Sequence, residues 1–352
     1  MFFMKVMEVL LSLPQPELNH ILGSAGVYGI TSRQSGIETV MRVLSDREDR
    51  LNLYMSSGRC EKQILMNMAL SHQEFWTYEE IAGAVTDSEK ASVDAAVGEL
   101  KKNGWVFPAN GSRLTMPDEV KRTAASCFAA VKEETGLFVP REKQKSYAIV
   151  QDLFFFLESA EKEQWKLTGH GVIPRNRIKK LLAGMSVTEA IPDEQWRFGY
   201  GRHYTHYPDR FSLMYDFAFS EKWIVEEDVL KTGTAWERGQ ELSVSAVLGR
   251  LFFSWLRQYR RALPVLPLLC RLIGTLLPSP GTALFEEDIV KACSLFTDGY
   301  CYDSPDDVIR KRVLAMLVHL HVLHESESGG ERLYTLSAGA GEDMLKLVKN
   351  FY

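Results

Sequence analysis

Between Cys60 and Met116 the apolar positions change period several times, and the order of those changes predicts a fold. EKQILMNMALSHQ, after Cys60, carries apolar residues at helical spacing, and Phe75-Trp76-Thr77 then reads as extended. YEEIAGAV is a second, short helix, with Thr77 as its N-cap and Glu80 three residues on to complete a capping box. Ser88 to Asn103 follows as a third helix, with Val93, Ala96, Val97 and Leu100 on one face and Gly104 as its stop. Trp105–Pro108 and Arg113–Met116 are two short strands around Ala109-Asn110-Gly111-Ser112, an Asn-Gly turn suited to a hairpin. Helix, short strand, helix, helix, hairpin is the order of a winged helix, a three-helix core closed by a small sheet.

The same order recurs twice. Ala148–Ala160 starts a second copy; Trp165-Lys166-Leu167 is its short strand, Pro174–Gly184 its second helix and Asp209–Glu221 its third. Trp223-Ile224-Val225 and Val229-Leu230-Lys231 make its hairpin. A third copy runs through Leu263–Leu277, Ala283-Leu284-Phe285, Glu286–Phe296 and Pro305–His321, then a hairpin from Val322-Leu323-His324 to Arg332-Leu333-Tyr334-Thr335. Leu114, Leu230 and Leu333 fall at matching places in the closing strands, 116 and 103 residues apart.

The chain therefore reads as mainly α with small β-hairpins, tandem winged-helix units joined by helical connectors. Residues 1–59 form an amino-terminal helical cap, with helices around Val6–Leu10, Glu17–Leu22 and Ile37–Leu44, ending in the charged run Asp46–Arg50. Winged helix 1 spans 60–140, and winged helix 2 spans 141–242 with an insertion at 186–208. A buried connector helix spans 243–261, and winged helix 3 spans 262–352.

Composition narrows the function classes. Across 352 residues, 41 Lys and Arg stand against 46 Asp and Glu, a formal charge of -5, so any contact with nucleic acid rests on local patches. The five cysteines are scattered without a CxxC, which predicts buried thiols in a reducing cytoplasm rather than a disulfide or zinc framework. The longest apolar stretch, Ala262–Leu277, is broken by Pro264, Pro267 and Arg271, so no membrane span is expected.

The texture of several segments resembles a known family. LLSLPQPELNHIL opens the chain, ELKKNGWVFPANGSRLTMPDEVKR closes the first unit, and DLFFFLESAEKEQWKLTGHGVIPRNRIKKLL begins the second. FAFSEKWIVEEDVLKTGTAWERG and a helix containing SWL follow. In this order, over residues 5 to 260, the chain resembles bacterial helicase-associated proteins. Those proteins are similar to the amino-terminal region of the xeroderma pigmentosum group B type of DNA helicase and lack its motor. The resemblance implies tandem winged helices and a DNA-linked role, although this chain departs from the family's basic, Arg-rich character.

Reacting groups at usable spacing are not evident. There is no glycine-rich loop ending Gly-Lys-Ser/Thr, no GxSxG and no HExxH, so no catalytic residue, metal or cofactor is expected and the protein reads as a non-enzyme. His203 and His206 make an HxxH without an adjacent third ligand, and His319, His321 and His324 straddle a helix end. DNA contact would be made by cations on or near the helices. Arg175, Arg177, Lys179 and Lys180 form the densest acid-free cluster, at the start of a helix. Arg310, Lys311 and Arg312 lie on the third helix of the third copy, and Lys90, Lys101 and Lys102 on that of the first. The expected role is DNA-associated regulation or scaffolding. The alternative is a protein-interaction adaptor working through the loop WRFGYGRHYTHY, where Trp196, Tyr200, Tyr204 and Tyr207 are residue types enriched at interface hot spots.

Overall fold

The computed structural model describes residues 5–130, 147–192, 201–279, 281–339 and 341. The chain opens with α1 (Val6–Ser12), α2 (Gln15–Ser24), α3 (Arg33–Ser45) and α4 (Arg47–Ser56). The last of these is a departure from the expected cap. Asp46, expected to begin the closing charged run, is instead the N-cap of α4, and its Oδ1 accepts from the Glu48 and Asp49 amides at 3.1 Å each. Glu48 and Asp49 in the first turn then suit the positive end of the helix dipole.

Unit 1 comprises α5 (Arg59–Ala69), β1 (Phe75–Trp76), α6 (Tyr78–Ala84), a 3-10 turn (Asp87–Ser92), α7 (Val93–Lys102), β2 (Phe107–Ala109) and β3 (Arg113–Thr115). The capping box forms as expected: Glu80 Oε2 accepts from the Thr77 amide at 2.7 Å and Thr77 Oγ1 from the Glu80 amide at 3.2 Å. The helix expected over Ser88–Asn103 is α-helical only from Val93. Gly104 ends it at φ +66, where a Cβ would sit 2.9 Å from the Leu44 side chain of α3. α8 (Asp118–Ala130) follows and packs on α4 and α5.

Unit 2 comprises α9 (Ala148–Glu163), β4 (Trp165–Lys166), α10 (Arg175–Ala183), α11 (Asp209–Ser220), β5 (Ile224–Glu226) and β6 (Val229–Thr232). α12 (Ala235–Gln240) and the connector α13 (Val244–Tyr259) come next. Unit 3 comprises α14 (Leu266–Leu276), β7 (Ala283–Phe285), α15 (Glu286–Cys293), a 3-10 turn (Ser294–Phe296) and α16 (Pro305–Asp307). A π-helical stretch (Val308–Leu314), α17 (Ala315–His319), β8 (Leu323–Ser328) and β9 (Glu331–Leu336) complete it. The third helix of this unit is thus one run whose middle is wound more widely than an α-helix.

Each unit closes with an antiparallel three-stranded sheet in which the last strand lies in the middle: β1-β3-β2, β4-β6-β5 and β7-β9-β8. Leu114, Leu230 and Leu333 all lie on these middle strands, opposite Trp76, Trp165 and Phe285 on the first strand of their sheets. All three leucines are buried, so the repeated Leu is the point where each sheet meets its helices. The apolar residues of the three units, the cap and α13 join into one continuous core.

Buried polar ties hold these parts in register. Arg50 of α4 is sealed in the core with its guanidinium 3.5 Å from the Trp105 ring centroid, and its Nη1 donates to the Asn103 carbonyl at 2.6 Å. Burial lowers the pKa of this guanidinium to about 10. Arg59 of α5 reaches across to unit 3, donating to the Leu295 and Thr297 carbonyls at 2.9 Å and to Asp298 Oδ1 at 3.0 Å. Ser88, in the 3-10 turn before α7, donates its amide and hydroxyl to the same carboxylate at 3.0 and 2.5 Å. Burial alone would raise the Asp298 carboxyl, but the Ser88 and Arg59 hydrogen bonds outweigh it and hold the pKa below the usual value. Arg271 of α14 returns the contact, donating to the Leu70 carbonyl at 2.7 Å. Among the described residues no helix is long and apolar enough to cross a membrane.

Candidate functional site

In a winged helix the third helix is the element that enters the major groove, so its outer face should carry unpaired donors and positive charge. None of the three third helices offers such a face. On α7 the exposed residues are Asp94, Ala95, Gly98, Glu99 and Lys102. Lys102 pairs with Glu99 at 3.4 Å, and Lys90, in the preceding turn, pairs with Asp87 at 2.6 Å. Lys101 leans on Tyr78, 5.8 Å from the ring centroid. α11 is sealed instead: Arg210, Phe211, Ser212, Leu213, Met214, Tyr215, Phe217 and Ala218 are all buried, with α9, α13 and β5 packed around it.

In unit 3 the three candidate cations are matched by carboxylates. Arg310 meets Glu287 at 2.6 Å, Glu286 at 3.2 Å and Asp306 at 3.6 Å. Lys311 meets Asp307 at 2.9 Å, and Arg312 meets Asp303 at 2.8 Å. The Lys311 and Ser304 hydrogen bonds hold the Asp307 carboxyl at about 2, so that partner stays ionised through neutral pH. Cations already neutralised in this way gain little by exchanging a carboxylate for a phosphate.

The cluster on α10 is only partly spoken for. Arg177 bonds Glu163 at 2.8 Å, and Arg175 donates to the Pro192 carbonyl at 3.2 Å. Lys179 and Lys180 are exposed and have no partner among the described residues. Two of the hairpins that would touch phosphate are acidic. Glu226, Glu227 and Asp228 line one, and Glu325, Glu327 and Glu331 line the other with Arg332. In unit 1 Arg113 is folded back, its guanidinium 4.8 Å from the Phe75 ring centroid.

The aromatic loop is divided by the structure. Trp196 and Tyr200 lie outside the described residues, and Tyr204 is half-buried. Tyr207 is a correction to the expected partner surface: it belongs to the core. Its ring packs 5.1 Å from Tyr215 and 5.2 Å from Phe211, and its hydroxyl accepts from the Ile173 amide at 2.8 Å. A tyrosine buried with its hydroxyl satisfied is a structural anchor. Arg202 and His203 fix the rest of the loop to Glu226 of β5. Arg202 Nε donates to both carboxylate oxygens at 2.8 and 2.9 Å, His203 Nε2 lies 3.0 Å from Oε1, and the Tyr215 hydroxyl donates to Oε1 at 2.7 Å. Burial would raise the Glu226 carboxyl, but these donors win and keep it low. The Arg202 guanidinium also covers the Phe219 ring at 3.8 Å.

This arrangement consumes the HxxH. His203 faces inward to Glu226, whereas His206 is exposed with its Nδ1 2.9 Å from Thr205 Oγ1, so the two imidazoles do not converge on one point. Among the described residues no three His, Cys, Asp or Glu side chains are grouped as a metal site would require.

One cluster was not anticipated from the sequence. Arg210 at the start of α11 and Asp152 in α9 are 0% and 3% exposed, and Nη2 lies 2.6 Å from Oδ2. Asp152 also accepts from the Ser186 amide at 2.7 Å and its hydroxyl at 2.8 Å. Glu189 caps α11, accepting from the Arg210 and Phe211 amides at 2.9 and 3.0 Å, and burial pushes its carboxyl up to about 7 against those donors. The signal in the sequence was Asp152 set within the apolar run AIVQDLFFFL of α9, a charge that is rarely buried unless an opposite charge meets it. No family model and no curated protein matches this sequence.

Proposed function

We propose that the chain is a non-enzymatic scaffold of three winged-helix units that binds a protein partner instead of gripping DNA with its third helices. The observation that carries this reading is the state of those helices: one presents small and acidic residues, one is buried, and one has its cations paired. The ionisable groups that look reactive are spent on structure, as with Glu226, held by Arg202, His203 and Tyr215. The resemblance to helicase-associated proteins fits a scaffold that works beside a DNA-handling machine and leaves the nucleic acid to its partner.

A DNA-contacting reading keeps one specific support, the unpaired Lys179 and Lys180 on α10 beside Arg175 and Arg177. Fluorescence anisotropy with short duplex and single-stranded DNA, titrated from ~50 to ~200 mM salt, separates the two. Two unpaired lysines sustain a slope of log affinity against log salt of about -2 at most. The scaffold reading expects no saturable binding. Saturable, salt-weakened binding that is abolished by Lys179→Glu with Lys180→Glu would replace it with the DNA reading.

A further inference from the structure

We propose that the cleft between α4 and α8 is a binding site for a phosphoryl group, carried by free phosphate or by a small phosphate ester, with Arg47 and Arg122 as its forked donors. The cleft encloses about 340 Å³, within the range of small-molecule sites, and lies where the amino-terminal cap meets the helix that follows unit 1. Its lining comes from two helical faces. Glu119, Arg122, Thr123, Ser126, Cys127 and Ala130 recur at three- and four-residue steps along α8, and Arg47 and Leu51 stand one turn apart on α4. Leu51, Cys127 and Ala130 make part of the wall apolar, enough to hold the body of a small ester beside its phosphate.

What singles out this cleft is positive charge that the protein leaves unanswered. Arg47 and Arg122 are exposed, and neither makes an ion pair or hydrogen bond among the described residues. The Ser45 and Thr123 hydroxyls are spent on carbonyls of their own helices, at 2.7 and 2.9 Å, which leaves the Ser126 hydroxyl unengaged. Arg50, one turn after Arg47 on α4, is 1% exposed; the Asn103 carbonyl and the Trp105 ring meet its guanidinium, but Nη2 has no partner and no carboxylate joins it. Its charge reaches the wall of the cleft: burial raises the Cys127 thiol above its usual value, and Arg50 and Arg47 pull against that rise. Glu119 is the one acid of the lining, and its Oε2 already accepts from the Val6 amide at 3.1 Å. Asp46, beside Arg47, is spent on capping α4.

Three guanidinium charges thus stand at this seam against one lining carboxylate, and a phosphate monoester, at about −1.5 to −2 near pH 7, matches the excess. Each guanidinium is a planar fork that meets two phosphate oxygens at once, which favours phosphate over a single-point anion. A DNA backbone fits less well, because each of its phosphates carries one charge and has chain on both sides, whereas a cleft between two helices admits a terminal group. The site stands apart from the partner-binding reading, since it uses neither the third helices nor the hairpins.

The test is isothermal titration calorimetry of the full chain at constant ionic strength with inorganic phosphate, ribose 5-phosphate and ribose. Saturable binding of both phosphate-bearing probes and none of ribose is expected, with affinity lowered about tenfold or more in Arg47→Gln with Arg122→Gln. Arg175→Gln with Arg177→Gln, on α10, should bind like the unaltered protein. Tighter binding of ribose 5-phosphate than of inorganic phosphate supports the proposal with an ester as the source, and equal affinity supports it with the free ion. No saturable heat from either phosphate-bearing probe up to ~10 mM, undiminished affinity in the Arg47 and Arg122 double variant, or release of bound ribose 5-phosphate by short duplex DNA would each overturn it. Both arginines are exposed and unpaired, so the double variant should keep its fold, which circular dichroism checks. If it does not, the guanidinium Nε–H resonances of the unaltered protein decide: a few should shift and saturate with inorganic phosphate, whereas a uniform drift of all of them would overturn the proposal.

Discussion

The third helices of units 2 and 3 both hold arginine against carboxylate, in opposite surroundings. Arg210 and Asp152 are sealed from water, whereas Arg310 keeps a quarter of its side-chain surface exposed, at 26%, and Glu287 most of it, at 73%. The sealed pair has lost its hydration and depends on its partner, and the open pair can exchange its partner for solvent at little cost. The same chemical contact is therefore a structural commitment in one unit and a surface detail in the other.

Removing one half of the sealed pair should have the largest effect. Asp152→Asn removes the carboxylate in direct contact with the buried Arg210 guanidinium and is expected to destabilise the fold by about 3–5 kcal/mol, read from the urea midpoint. Asp152→Leu with Arg210→Met should recover most of that loss, because two apolar side chains need no hydration to be replaced. A double variant as unstable as the single one would show that the pair is needed for its shape and not for its charge balance.

An intermediate case lies between units 1 and 3, where the backbone beside Asp298 is constrained. Gly299 has φ +94, and a Cβ there would stand 2.7 Å from the Asp303 carbonyl. Gly299→Ala is expected to cost about 1–3 kcal/mol by thermal unfolding, with faster hydrogen exchange at Ser88, whose amide bonds the neighbouring carboxylate. The smallest effect belongs to the open pair. Arg310→Gln should change stability by less than about 1 kcal/mol, and less still in 1 M salt. A larger loss would place Arg310 with the sealed pairs.

The repeat was legible because its signals are local. Ala283–Phe285 is extended and Glu286 starts a helix with three acids in its first turn, features set by neighbours in sequence. Leu114, Leu230 and Leu333 mark the middle strand of each sheet, since the helices below must meet an apolar residue there. What the sequence hid is what distant residues supply. The cations at 310–312 look available until Glu286, Glu287 and Asp303 are brought to them. Tyr207 sits in a run of aromatics that reads as surface, and Phe211 and Tyr215, one helical turn and two turns on, draw it inward. Likewise the first turn of the helix expected from Ser88 is 3-10, in the place where a carboxylate more than two hundred residues away takes hold of it.

That last contact sets a timetable for synthesis. Arg59 and Asp298 are separated by 239 positions, so the face of unit 1 that they close is finished only after most of the chain has been made. At about 5–20 residues per second, the nascent amino-terminal half waits for roughly 10 to 50 s with that face uncovered. Chaperone demand during translation should accordingly fall on the earliest-made unit, and a chain truncated before residue 298 should inherit the exposure permanently.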